Sequence, residues 1–273
     1  DFSVLQGNHV ILAIPYQEEY YWIDCTSQVH PFGFIGDFTD DRNVLVVKPN
    51  GGEIVKTTSY LNEQNKQTTK AAYEISSDGA INGEVKIYTT GIQYDNRFHL
   101  EKETSENIEK HYKDYWSNIN NLNIDSYEYE NDKNEISFQE KVVLNAKNYG
   151  AISNGRMIFE LNAFNRIDYI PKRYRERIRP FEIQRGYVDK EVYNVKLPNG
   201  YSVEAIPGNK EVNSEFGSYT ISVDLKDEEN IQYTRTFSLK SGVYPPNKYN
   251  DYRNFRKSVA KLEKGKVALV KNN

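Results

Sequence analysis

The chain has 273 residues, and its 35 Lys and Arg residues against 39 Asp and Glu residues give a formal net charge of −4. This length allows one large domain or two modest ones, with enough core that no metal or disulfide is needed for stability. The acidic balance argues against a general nucleic-acid-binding protein. No apolar run approaches the roughly 20 residues of a membrane span. The single cysteine, Cys25, excludes a disulfide framework and a cysteine-rich zinc site.

The first residues predict a β-hairpin. The chain begins Asp1-Phe2-Ser3, without Met and without the pattern of a signal peptide, so we expect a processed or shortened chain. Apolar runs then predict two strands that a short turn connects. The predicted strands are 8–14 and 20–26, and the predicted turn is 15–19.

This hairpin carries the residues with catalytic potential. If residues whose numbers sum to 33 are paired, His9 lies opposite Asp24, and direct cross-strand partners have Cβ atoms about 4.5–5.5 Å apart. A carboxylate bonded to an imidazole fixes its tautomer and stabilises the imidazolium that forms during proton transfer. A one-residue slip would place His9 beside Cys25 instead. The alternative function is a polar pair that only holds the hairpin together.

Other polar residues near the N-terminus give weaker signals. Asp37, Asp40 and Asp41 form an acidic loop that could bind calcium, but the ligand spacing of a calcium site is absent and a solvated turn is favoured. The remaining histidines are scattered without the spacing of metal ligands, and His111 is expected on the wet side of a helix. These histidines are His30, His99 and His111.

Alternation of apolar and polar residues predicts that most of the remaining chain forms strands. In 219–225 every odd residue is apolar, and 231–239 continues this alternation except at Arg235. A third segment, 136–146, alternates except at Glu140. The other predicted strands are 73–76, 84–88, 157–161, 192–197, 201–206 and 266–271.

Apolar residues at helical spacing predict two helices, at about 105–119 and 249–262. Thr104 or Ser105 can cap the first helix. Trp116 and Tyr112 on this helix could form a sugar-stacking platform, but core packing is favoured at this spacing. The predicted fold class is mainly β, and α+β overall, with an antiparallel β-sandwich-like domain that carries two helices.

A basic cluster precedes the last third of the chain. It contains Lys172, Arg173, Arg175, Arg177 and Arg179, and Glu176 interrupts it. The cluster could bind an anionic glycan or peptide, although a salt-bridged, tyrosine-packed strand or loop is favoured. The sequence has no phosphate-binding glycine loop, no Gly-x-Ser-x-Gly motif and no His-Glu-x-x-His motif.

The hairpin residues resemble the second half of a bacterial transglutaminase-like core, a papain-related fold with a Cys-His-Asp triad. The matching segments are Asn8-His9-Val10-Ile11 and Tyr21-Trp22-Ile23-Asp24-Cys25-Thr26, in which His9 and Asp24 occupy the family's His and Asp positions. Segments 31–34 and 42–47 resemble the end of the core in a Bacteroidetes-type subgroup, in which β-rich domains of unknown function flank the core. Segments 177–181, 197–200 and 244–255 resemble the C-terminal flanking domain.

The resemblance implies that residues 1–55 are the C-terminal part of the core and that residues 56–273 are a β-sandwich-like accessory domain. It implies thiol chemistry on a glutamine side-chain amide or a peptide carbonyl, with a crosslink, a deamidated residue or a cleaved peptide as the product. His9 would shuttle the proton and Asp24 would orient His9. The same resemblance implies a protein or peptide substrate, the upstream half of the core as a partner, and a periplasmic or extracellular location. It implies no metal or organic cofactor.

One departure concerns the nucleophile. The family's catalytic Cys lies well upstream of the His, and nothing before His9 supplies it. Cys25 neighbours Asp24 in a predicted strand, so its thiol is expected to face away from the His–Asp pair. We therefore expect this chain alone to be inactive. The alternative is a non-catalytic β-sandwich binding or structural module of the bacterial envelope, and an uncovered strand edge also predicts a possible homodimer.

Overall fold

The structure, a computed structural model, describes residues 7–272 and is mainly β, as predicted. The predicted feature at Asp1-Phe2-Ser3 lies outside the described residues. In chain order the strands are β1 (Leu12–Tyr16), β2 (Glu19–Ile23), β3 (Asn43–Lys48), β4 (Gly51–Lys56), β5 (Lys66–Ile75), β6 (Ile81–Thr90), β7 (Leu122–Asp132), β8 (Ser137–Ala146), β9 (Ala151–Ser153), β10 (Arg156–Glu160), β11 (Phe181–Ile183), β12 (Tyr187–Lys196), β13 (Tyr201–Ala205), β14 (Lys210–Ser214), β15 (Gly217–Leu225), β16 (Asn230–Leu239), β17 (Gly242–Tyr244) and β18 (Lys266–Lys271). The α-helices are α1 (Ile92–Asp95), α2 (Ser105–Tyr115) and α3 (Tyr249–Leu262), and 3₁₀ turns lie at Phe98–Lys102 and Pro246–Lys248.

An eight-stranded sheet forms the centre of the fold, in the order β14-β15-β16-β12-β5-β6-β8-β7. All neighbouring strands in it are antiparallel except β12 and β5, which run parallel. Buried and exposed residues alternate along its strands, so one face is covered and the other is open. This alternation is the pattern from which the strands are predicted.

A second layer covers the buried face of the large sheet. It contains a four-stranded sheet, in the order β13-β18-β10-β9, together with α2 and α3. Phe159 and Leu269 from the small sheet, Trp116 from the end of α2, and Phe255 from α3 join one hydrophobic core with the large sheet. The structure therefore has a sheet-on-sheet arrangement with helices in the covering layer.

Both predicted helices are present, and each buries its apolar stripe. Thr104 caps α2, because its Oγ1 accepts a hydrogen bond from the backbone amide of Asn107 at 3.3 Å. Trp116 and Tyr112 are fully buried, so they pack in the core and do not form a sugar platform. The sequence did not predict the one-turn helix α1. None of the helices within residues 7–272 is long and apolar enough to cross a membrane.

Glu140 and Arg235, the two charged exceptions to strand alternation, each belong to a buried ion pair. Glu140 is fully buried and accepts hydrogen bonds from Arg97 Nη2 at 2.9 Å and from the Tyr112 hydroxyl at 2.7 Å. Arg235 is also buried, and it lies directly opposite Glu191 in the β12–β16 ladder. A charged residue on the apolar side of a strand therefore marks a buried partner here.

Arg235 lies among three buried carboxyl groups and forms hydrogen bonds with two of them. Its Nε donates to Glu191, its Nη1 donates to Glu263 at 2.6 Å, and its Nη2 lies 3.6 Å from Asp189. We call these four residues the Arg235 cluster. Glu263 directly follows α3, so the cluster ties the end of this helix to the large sheet.

Burial raises the pKa of the three carboxyl groups in the Arg235 cluster. Burial raises the pKa of Glu191 to about 8, helped by repulsion from Asp189 and opposed by Arg235 and Asn165. Burial also raises the pKa of Asp189 and of Glu263, against the attraction of Arg235. The folded chain therefore binds protons that the unfolded chain has already lost above the ordinary pKa of a carboxylic acid.

We expect the free energy of unfolding to fall as the pH rises from about 5 to about 8, because the folded chain loses its extra protons over this range. Each unit of difference between the folded and unfolded pKa corresponds to about 1.4 kcal/mol. The stabilisation from protonated Glu191 is complete below the pKa of the unfolded state and is lost as the pH passes the folded value. Glu191→Gln, which is neutral at every pH and keeps an oxygen for Arg235, should reduce this slope. Urea unfolding at pH 5, 6, 7 and 8 measures it. Glu74→Gln, at an exposed position on β5, is the control, and an unchanged slope in Glu191→Gln would contradict the assignment.

Candidate functional site

The structure brings His9 and Asp24 together. His9 lies just before β1 and Asp24 just after β2, and His9 Nε2 is 2.8 Å from Asp24 Oδ2. The predicted register is wrong, because the β1–β2 partners have numbers that sum to 35, as in Ala13 with Trp22. A shift of two residues keeps every side chain on its predicted face, since the side-chain period of a strand is two. The pair therefore forms beyond the end of the ladder.

Thr26 holds the Asp24 carboxylate in place. Asp24 Oδ1 accepts hydrogen bonds from the Thr26 amide at 3.0 Å and from its hydroxyl at 2.6 Å, while Oδ2 contacts His9. Partial burial raises the pKa of Asp24, but the bonds from Thr26 and His9 outweigh this effect and the net pKa is lowered. Asp24 is therefore a carboxylate at neutral pH with both oxygens engaged.

The ionised Asp24 determines which nitrogen of His9 carries the proton. A carboxylate only accepts hydrogen bonds, so His9 Nε2 must donate and Nδ1 of the neutral ring has a free lone pair. The Phe38 ring and the imidazole pack in a T-shaped arrangement, with centroids 5.1 Å apart. The His9 side chain remains 21% exposed, which leaves it accessible to a reacting group. The arrangement is that of a general base with its orienting carboxylate.

Cys25 does not join this pair. β2 ends at Ile23, so Cys25 lies in a turn and not in the predicted strand, and its residue is exposed. Within residues 7–272 no hydrogen bond connects its thiol to His9. The prediction that Cys25 is separate from His9 is consistent with this geometry, although the reason is the turn and not the alternation of a strand.

A second histidine–aspartate contact joins His30, which follows the first hairpin, to Asp95 at the end of α1. His30 Nε2 is 3.3 Å from Asp95 Oδ1, and Asp95 Oδ2 accepts the Asp37 amide at 2.8 Å. Burial raises the pKa of Asp95, but the hydrogen bonds from His30 and Asp37 outweigh it and lower the net value. His30 also packs against Phe34 and Phe98, so the contact connects the N-terminal segment to the region around α1. The sequence does not signal this pair, since its members are far apart in the chain.

The acidic loop is not simply a solvated turn. Asp40 is 2% exposed, and Arg185 Nε donates to both of its oxygens at 3.1 Å. Asp41 pairs with Lys56 at 2.6 Å. Within the part of the chain that the structure describes, no group of three or more His, Cys, Asp or Glu residues has a metal-binding arrangement. The loop therefore anchors the N-terminal segment to the residues before β12.

The structure also corrects the prediction that His111 lies on the wet side of its helix. His111 is half-buried on α2 and stacks on Tyr115, so it does not lie on the wet side of the helix. Burial lowers the pKa of His111 to about 4, with a further contribution from Arg97. This histidine is therefore neutral at physiological pH.

The first two hairpins expose an apolar surface. Val10, Phe32 and Val47 are 87%, 76% and 83% exposed, although all three belong to apolar runs. The inner faces of the two hairpins pack together, since Ala13 and Trp22 of the first share a cluster with Val44 and Val46 of the second. We call the exposed apolar side chains within residues 10–54 the hairpin face. Its other exposed members are Leu12, Ile14, Tyr16, Tyr21, Phe38, Leu45 and Ile54.

The basic cluster forms a loop packed on tyrosine, in agreement with part of the prediction. The Arg177 guanidinium lies 4.6 Å from the centre of the Tyr249 ring and donates to the carbonyls of Arg179 and Pro180. The predicted salt bridges are absent, because within residues 7–272 none of the five basic side chains pairs with a carboxylate. Their positive charge is thus available to other molecules.

Comparison with known proteins gives two matches. Residues 155–269 match a family described as a domain of unknown function with solved structure (DUF3858), and the match runs from β10 into β18 but does not include the His9–Asp24 pair. A crystal structure of a "putative protease" from Parabacteroides distasonis ATCC 8503 is similar with a TM-score of 0.36 and 18% identity, over 43% of this chain and 24% of that chain. The chain therefore spans about a quarter of that protein, and a likeness this weak carries no argument about activity. No curated protein matches the chain.

Proposed function

We propose that this chain supplies the histidine and aspartate of a transglutaminase-like site that cleaves amides by thiol chemistry. The observation that carries the proposal is the 2.8 Å contact between His9 Nε2 and an Asp24 carboxylate whose other oxygen is bound by Thr26. This contact orients the ring and leaves Nδ1 as the base. An imidazole held by an ionised carboxylate is the arrangement that activates a nucleophile in acyl-transfer enzymes.

His9, Asp24 and the thiol each have a separate role in the proposed reaction. His9 Nδ1 takes the proton from a thiol, and the thiolate attacks the amide carbonyl to form a C–S bond. His9 then returns the proton to the departing nitrogen as the C–N bond breaks. In the second half-reaction His9 takes a proton from an amine or a water molecule, which attacks the thioester carbonyl. The C–S bond then breaks, and His9 returns the proton to the leaving thiolate. Asp24 stabilises the imidazolium at each stage.

The thiol must come from outside the described residues. Cys25 lies in a turn, and within residues 7–272 its thiol forms no hydrogen bond with His9. Phe38 of the hairpin face packs on His9 and is 57% exposed. A further part of a core would cover such exposed apolar side chains, and the segment that brings the thiol would bind there. We place this site in a longer protein of the periplasm or the cell exterior. Self-association through the hairpin face is an alternative prediction for the isolated chain.

An assay on the intact gene product and on residues 1–273 tests the proposal. Incorporation of a fluorescent primary amine into a glutamine-containing protein measures transfer, and release of a fluorophore from an amide-linked peptide measures hydrolysis. We expect one of these activities in the intact protein, sensitive to iodoacetamide, and none in residues 1–273. Cys25→Ser in the intact protein should retain the activity.

Two results would contradict the proposal. One is the absence of any iodoacetamide-sensitive activity on amides in the intact protein. The other is activity from residues 1–273 that Cys25→Ser removes, since this would make Cys25 the nucleophile.

A further inference from the structure

A wide cleft separates the basic loop from helix α3. Its volume is about 800 Å³, which lies within the usual range of ligand sites. One wall is the loop and the other is one face of the helix, where residues three and four positions apart are neighbours. The lining residues are Arg173, Tyr174, Arg175, Asn250, Arg253 and Asn254.

The cleft carries three positive charges and no lining carboxylate. Within residues 7–272, Arg173, Arg175 and Arg253 form no ion pair, and the adjacent Glu176 forms none with them. Arg253 uses its Nε to donate to the Pro171 carbonyl at 3.0 Å, which leaves its terminal nitrogens free. Arg156, by contrast, is paired with Glu204. The three lining guanidinium groups are therefore available to an anion.

The walls of the cleft are fixed in place. The Tyr249 hydroxyl donates to the Lys172 carbonyl at 2.8 Å, and the Arg177 guanidinium packs on the Tyr249 ring. These contacts tie the loop to the first turn of α3. A site whose loop is already ordered loses little conformational freedom when a ligand binds.

We infer that this cleft binds an acidic polysaccharide. Arginine recognises carboxylate and sulfate groups through paired hydrogen bonds. Asn250 and Asn254 each offer a donor and an acceptor, as neighbouring hydroxyl groups of a sugar require. The Tyr174 side chain, in a residue that is 46% exposed, adds an aromatic surface for the apolar face of a sugar ring. This binding is independent of the proposed amide chemistry.

Binding of defined oligosaccharides to residues 1–273 tests the inference. The probes are oligogalacturonate, which carries carboxylates, and a heparin oligosaccharide, which carries sulfates as well. Neutral dextran oligosaccharide and a poly-glutamate peptide of matched charge are the comparison ligands. We expect binding of at least one acidic oligosaccharide by calorimetry, weakened at high salt, and clearly tighter than that of both comparison ligands.

Variants locate the binding. Arg173→Ala combined with Arg175→Ala, which leaves the helix contacts intact, should weaken binding by about tenfold or more. Tyr174→Ala should weaken binding of the acidic oligosaccharides but leave binding of the poly-glutamate peptide unchanged. Lys70→Ala with Lys190→Ala removes the same charge from the open face of the large sheet and should have no effect. Failure of both acidic oligosaccharides to bind, equal binding of poly-glutamate, or equal losses in the arginine and lysine pairs would overturn the inference.

Discussion

His9→Ala is expected to lower kcat/KM of the intact, active protein by about 10²–10⁴-fold, the usual range for the loss of a general acid–base group. The thiol would lose the group that accepts its proton, because Nδ1 is the free nitrogen of a ring that Asp24 holds by Nε2. Asp24→Ala should also reduce kcat/KM, since the ring would lose its orientation and the support for its positive charge. Amine incorporation and peptide hydrolysis measure both variants.

His99→Ala is the matched control, because His99 is exposed and lies outside the hairpins. Urea unfolding of each variant shows whether the fold is retained. Full activity in His9→Ala, or an equal loss in His99→Ala, would show that the His9–Asp24 contact only stabilises the hairpin. A pair that acts only in structure would change the unfolding midpoint but leave the turnover of the folded enzyme intact.

Arg235→Met is expected to lower the free energy of unfolding by about 3–5 kcal/mol, as for other buried ion pairs that lose one partner. The substitution keeps an apolar stem but leaves Glu191, Glu263 and Asp189 without their shared cation. The side chains of Arg235, Glu191 and Glu263 are all fully buried, so water cannot replace the missing bonds. Urea unfolding at pH 7 measures the loss.

Arg156→Met provides a comparison with the same chemistry in another environment. Arg156 also binds a glutamate through two nitrogens, but this pair with Glu204 is exposed, so its loss should change stability only slightly. Adding Glu191→Gln to Arg235→Met should restore part of the stability, since one uncompensated carboxyl group is removed. Equal effects of Arg235→Met and Arg156→Met would disprove the role of the Arg235 cluster.

Six of the eight strands of the large sheet and the two longer helices could be predicted because their signals are local, whereas β7 and β14 were not predicted. Period-two alternation gives the buried face of β15 and β16, and the stripe of α2 gives its packed side. The interruptions at Arg235 and Glu140 also carried information, since each is a charge inside the core that requires a partner. The sequence did not identify those partners, because Glu191 and Arg97 lie 44 and 43 residues away.

The candidate site shows the same division. The proximity of His9 and Asp24 could be predicted from a short hairpin, and it survived an error of two residues in the register because such a shift preserves the strand faces. In the sequence Thr26 was only the last residue of the segment that resembles the family, whereas the structure shows how its amide and hydroxyl hold the carboxylate. The catalytic role of the pair stays a prediction.

Local periodicity therefore established the mainly-β class, the two longer helices and the hairpin that joins His9 to Asp24. Packing between distant segments decided the Arg235 cluster, the contact of His30 with Asp95, and the cleft that the basic loop forms with α3. Hydrophobic periodicity tells which face of an element is buried, but it does not tell which other element covers that face. Partners that lie many residues apart meet only once the layers have packed, and most of the charged chemistry of this protein depends on such partners.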